Sequence, residues 1–229
     1  MRTLFLYLLI CSVCLGEESV FIEDLFAEIF AEEQLEKKEW AKEIVASNEY
    51  GKERNYVFMW GKLPTVSIFN DGCSPGQKRC IKRNINILNH RLKLKGSFFA
   101  WKVIEDDNEN ADILIKNLEK NKEFIGRYAN PDELDGYCHL WDKNGRLYRG
   151  EVFLRYDIRY DNFEHIMYEE VMHTSGILND SYRQKSIFFA GNEWTKVADY
   201  DIYLIKFFYE HFKPGMNEKT AFEIIDEKF

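Results

Sequence analysis

The chain has no apolar run long enough for a bilayer. None of its 229 residues lies in a stretch approaching the ~18 consecutive apolar residues a membrane-crossing helix needs. The mature chain is therefore expected to carry no transmembrane helix. An excess of positive charge is also lacking. The formal net charge is −8, and phosphate backbones are held by clustered Lys and Arg, so nucleic acid is excluded as a partner. The densest basic run, Lys78-Arg79-Cys80-Ile81-Lys82-Arg83, falls in a predicted helix and reads as a solvated face. No CxxC pair is present, which removes the closed structural zinc sites built on that spacing. There is no internal repeat and no low-complexity segment.

What is present begins with a leader. Arg2 is a short positive start, Thr3 to Leu15 is almost unbroken apolar sequence, and Gly16 precedes Glu17-Glu18. That length fits a signal peptide, with Cys14 and Gly16 as the small residues before the cut. Residues 1–16 are thus expected to be removed and the protein to be secreted or periplasmic. Lipid attachment at Cys11 or Cys14 is disfavoured by the residues around them. Cys73, Cys80 and Cys138 remain after cleavage. A bond across the short Cys73–Cys80 loop is compatible with that compartment, and the pairing stays open.

Residues 17–54 form an acidic segment in which Phe21, Ile22, Leu25, Phe26, Ile29 and Phe30 repeat at helical spacing. Beyond it, Thr65 to Phe69 reads as a strand, Gln77 to Leu92 as a helix, and Phe98 to Ile104 and Ala111 to Ile115 as strands. Tyr137 to Trp141 and Gly150 to Tyr156 flank the turn Asn144-Gly145. From Asn162 to about Ile177 the period changes to 3.6, and a last helix covers about Asp199 to Phe212, ending at Pro214-Gly215. This order predicts a mixed α/β (α+β) domain over 55–229.

The chemistry concentrates in Tyr168-Glu169-Glu170-Val171-Met172-His173-Thr174-Ser175-Gly176-Ile177-Leu178-Asn179-Asp180. At ~100° per residue, Glu169, His173 and Gly176 share one helical face, with Glu170 next round. Two ligands at i and i+4 with a carboxylate at i+1 can hold a metal ion and aim a general base at a water. Gly176 lets the chain turn so that a residue three positions on approaches the same ion. His165, four residues before Glu169, reads as a surface or capping residue, because eight residues of helix span ~12 Å.

This stretch resembles the metzincin zinc-peptidase signature H-E-x-x-H-x-x-G-x-x-H or D, read here as E-E-x-x-H-x-x-G-x-x-N-D. The resemblance implies Glu170 as general base and His173 as second ligand. It places Gly176 at the turn, Glu169 at the first ligand position, and Asn179, or Asp180 beside it, at the third. Ser186-Ile187-Phe188 is similar to the family's turn beneath the metal, with Phe188 where methionine is usual. Asp199-Tyr200-Asp201, Leu204 and Phe208-Tyr209 resemble its C-terminal helix. From about Asn55 to Ile225 the chain is similar to a bacterial family of unknown function that reads E-E-L-T-Q-x-x-G-L-x-N-D, then S-I-F, then P-G-M; the last matches Pro214-Gly215-Met216.

The resemblance implies a twisted mixed sheet, an active-site helix at about 162–177 and a small C-terminal helical subdomain. A cleft would run below an edge strand at Gly150 to Tyr156. The cofactor implied is zinc and the partner a peptide or protein substrate. One histidine and two oxygen ligands predict a weaker, less zinc-selective site and reduced hydrolysis at neutral pH. The alternative function is a non-catalytic peptide- or protein-binding module of the cell envelope.

Overall fold

The computed structural model describes residues 37–43, 56–177, 186–188 and 196–228. One compact unit runs from Trp40 to Lys228, and the fold described below is that of this unit. Of a unit that ends at Glu39, only the helical residues 37–39 are described. The leader, most of the acidic segment, and Asn179 and Asp180 lie outside the described residues.

The elements follow in order β1 (Met59–Trp60), β2 (Thr65–Ile68), α1 (Pro75–Leu94), β3 (Lys102–Val103) and β4 (Ile113–Asn117). A 3-10 turn (Glu119–Asn121) leads into α2 (Lys122–Ile125), then β5 (Gly136–Lys143), β6 (Arg146–Leu154), α3 (Tyr160–His173), α4 (Asp199–His211) and α5 (Glu218–Lys228). The expected mixed α/β architecture is present. In the sheet β3, β2, β4 and β6 lie side by side and parallel, β1 also runs parallel to β6, and β5 pairs antiparallel with β6. β5 is therefore an edge strand, as is β3 at the other side of the sheet.

This corrects the expected cleft position. Gly150 to Leu154 belong to β6, flanked by β4 on one side and β5 on the other. Alternating hydrophobicity identifies both arms of the hairpin but not which arm faces outward. Burial explains Gly150 too: a side chain there would press on Leu140 and Ile113 from its two neighbouring strands.

α1 starts two residues before the expected Gln77 because Ser74 caps it. Ser74 Oγ accepts from Gln77 N (3.2 Å), and Gln77 Oε1 accepts from Ser74 N (2.9 Å), with Pro75 opening the first turn. Its apolar stripe, Ile81, Ile85, Leu88 and Leu92, is fully buried. The basic run on α1 is not simply solvated. Lys78 and Lys82 both pair with Asp106, and Arg83 pairs with Glu164 of α3. β3 is shorter than Phe98 to Ile104 because the Asn89 side chain replaces the ladder, accepting from Trp101 N (2.9 Å) and donating to Trp101 O (2.7 Å).

Candidate functional site

α3 carries the site. Phe163, Ile166, Met167 and Val171 recur at helical spacing and are buried, which sets its rotation against the sheet. The helix ends at His173, earlier than the expected Ile177. The next three amides turn tightly back, Thr174 N to Val171 O, Ser175 N to Met172 O and Gly176 N to His173 O. Gly176 has φ +102°, and a Cβ there would run into the Phe58 carbonyl oxygen, so only glycine fits. The sharp turn expected of Gly176 is present.

Distant elements clamp this turn. Trp60 Nε1 donates to Thr174 O (2.6 Å), Trp101 Nε1 to Thr174 Oγ1 (2.8 Å) and Tyr209 O–H to Ser175 O (2.8 Å). Trp60, Trp101 and Thr174 escape motif reading because their roles appear only in tertiary contacts. Tyr209 belongs to the C-terminal helix singled out by its sequence.

The carboxylates and histidine toward the end of α3 are inside the protein. Glu169 is 8% exposed, Glu170 9% and His173 7%. Two adjacent carboxylates buried near a helix C-terminus occupy a poor place for anions, because the helix end already carries partial negative charge.

His173 has its tautomer fixed. Its Nδ1 lies 2.7 Å from the Ile177 carbonyl oxygen, which can only accept, so Nδ1 carries the proton and Nε2 keeps the lone pair. Its ring lies 5.1 Å from the ring of Phe188. Thus the Ser186–Phe188 turn does lie against the second expected ligand, with Phe188 as its contact.

That turn is held by a residue whose role the sequence did not reveal. Asp201, fully buried, accepts from Ser186 O–H (2.7 Å), Ile187 N (3.1 Å) and Ala198 N (2.7 Å), while Ser186 Oγ accepts from Phe188 N (3.1 Å). Burial pushes the Asp201 carboxyl up to about 6, against the pull of those donors.

His165 is not on the surface. It is 2% exposed, sits inside α3, and its Nε2 lies 3.5 Å from Glu169 Oε2. The length of helix between His165 and His173 argues against a shared ion but not against this pairing one turn away.

Glu170 turns toward the edge strand. A Cβ on Gly136, the first residue of β5, would lie 2.7 Å from Glu170 Cγ and would also strike Ile166. Glycine at that position lets helix and strand touch. Cys138, two residues on, has its thiol pushed well up by burial and, next, by the negative charge of Glu170. Gly136 and Cys138 are thus neighbours of the expected general base that no motif announced.

The donor set fits a divalent cation at two places, the carboxylate Glu169 and the imidazole His173. Among the described residues no three His, Cys, Asp or Glu side chains converge as a metal-binding group. The third expected ligand, Asn179 or Asp180, lies outside the described residues.

A mixed α/β domain with a buried helical carboxylate–histidine set beside an antiparallel edge strand is the class defined by fold and site. The chain belongs to the family described as "Protein of unknown function (DUF2927)", which matches residues 42–227. No curated protein matches the chain.

Proposed function

We propose that this chain is an exported, metzincin-like domain that binds a divalent cation through Glu169 and His173, completed by Asn179 or Asp180. Zinc is the first candidate ion. The orientation of His173 carries the reading. Its Nδ1 bond to the Ile177 carbonyl leaves Nε2 as a ligand nitrogen, and its ring rests on Phe188 of a turn latched by Asp201. Glu169 and Glu170 are buried on the same helix, which keeps oxygen donors near His173 in sequence.

If the domain hydrolyses peptides, the bound ion supplies Lewis-acid polarisation of the scissile carbonyl. Glu170 takes the proton of the attacking water on its carboxylate and passes it to the leaving amine. The burial of Glu169, Glu170 and His173 would strengthen both effects. Replacement of histidine by Glu169 at one ligand position lowers the pull on that water, so any activity is weak at neutral pH.

The test is metal content. The purified mature chain, stripped with chelator and returned to micromolar zinc, should bind one ion and melt at a higher temperature. No uptake and an unchanged melting temperature would end the reading. Glu170→Ala should keep the ion and lose hydrolysis of a generic peptide substrate. Loss of the ion in that variant would mean that the roles along α3 are shifted.

A second reading is favoured by β5. Among the described residues it pairs only with β6. An extended peptide could add to its outer edge beside Glu170, giving a binding module without catalysis. Peptide binding that persists in Glu170→Ala and in chelator would support this reading over the enzyme.

A further inference from the structure

The first ligand position of this site holds a carboxylate, and a carboxylate has two oxygens to place. Glu169 and His165 stand one helical turn apart on α3, with His165 Nε2 3.5 Å from Glu169 Oε2. Both side chains are shut from solvent, at 3% and 10% exposure, so water competes little for either group. In that setting a carboxylate gains most from a fixed donor, and a buried imidazole is a rigid one. An outer-shell donor on a ligating group fixes its rotamer and raises its affinity for the ion.

We infer that His165 is a positioning residue for Glu169, donating from Nε2 to Oε2 so that Oε1 is turned toward the cation beside His173. The inference rests on the proposed cation site and extends it to a residue outside the signature. It also explains why a histidine is retained in the apolar interior of α3 between Phe163 and Ile166, where a methyl-bearing side chain would pack more cheaply. The row His165, Glu169, His173 then has a division of labour. His173 and Glu169 hold the ion, and His165 holds Glu169.

The experiment is zinc titration into the metal-free mature chain, read by competition with a chromophoric chelator, for the wild type, His165→Leu and His165→Gln. Far-ultraviolet circular dichroism and the metal-free melting temperature confirm that each variant folds. His165→Leu should bind zinc roughly tenfold or more weakly. His165→Gln, which keeps a donor at that place, should recover part of the loss, a rescue that a packing role alone would not give. Equal affinity in wild type and His165→Leu overturns the inference while leaving the cation site intact. Equal losses in Leu and Gln variants that remain folded also overturn it. Failure of the wild type to take up zinc removes the cation site itself, and the positioning role with it.

Discussion

At the scale of single residues, Asp201 shows how burial and hydrogen bonding compete over one proton. Three donors hold its carboxylate, yet full burial costs the charged form more, and its pKa rises from 3.8 to about 6. The sign follows from linkage. A folded-state value above the unfolded one makes Asp201 stabilising below about pH 4, and that contribution is lost as pH rises through about 6. A shift of that size corresponds to up to about 3 kcal/mol between the two limits. The Asp201→Asn variant keeps one acceptor oxygen and cannot titrate. Denaturant melts at pH 4 and pH 7 should therefore show the wild type losing stability relative to Asp201→Asn across that window. Parallel pH curves for the two proteins would show that the carboxylate titrates in the ordinary range. Because Asp201 holds Ser186 and Ile187, and Phe188 lies on His173, the same titration acts on the placement of the site.

At the scale of elements, the contact of α3 with β5 decides where Glu170 lies. Gly136 is the point of closest approach, with Ile166 and Glu170 against its Cα. Gly136→Ala inserts a methyl group where no room exists, an overpacking change that costs about 1–3 kcal/mol and moves helix from strand. A drop in melting temperature, together with weakened peptide binding or hydrolysis, is expected. An unchanged melting temperature would mean that the helix and strand do not touch at Gly136.

These elements also show how far the sequence could be read. The strand and helix order was legible from periodicity, and Gly176 from its place after His173. The end of α3 was not, because the turn after His173 is fixed by Trp60, Trp101 and Tyr209, residues 114, 73 and 34 positions away in the chain. α5 gave little signal, since only Ala221 and Ile225 of its eleven residues are buried. The burial of His165 was not legible either, because it depends on how α3 packs in the fold and on a carboxylate one turn away.

At the scale of the whole molecule, distant backbone contacts tie the hairpin to the C-terminal segment. Gly145 and Gly215, both with positive φ, pack backbone to backbone, and Val57 exchanges bonds with Gly215 and Met216 (3.0 and 2.8 Å). The Pro214-Gly215-Met216 motif is thereby structural. It joins the C-terminal helices to the segment that leads into β1, well away from Glu169 and His173 in sequence. No helix of the described residues is long and apolar enough to cross a membrane.

Export with cleavage after Gly16 would leave a chemical trace in the cysteines. It would take Cys11 and Cys14 away and leave Cys73, Cys80 and Cys138. All three are free thiols in the structure, Cys73 and Cys80 buried. Burial raises the Cys73 and Cys138 thiols above their ordinary value, which keeps the reactive thiolate scarce even where oxidants are present. Protein recovered from the exported fraction should begin at Glu17 and titrate three thiols per chain with maleimide in denaturant. Folded protein should react far more slowly. Five thiols and a Met1 terminus would place the uncleaved chain inside the cell. One thiol would mean that two of the three had joined, and the separation of Cys73 from Cys80 by one loop and the first turns of α1 makes that pair the one to map by peptide mass.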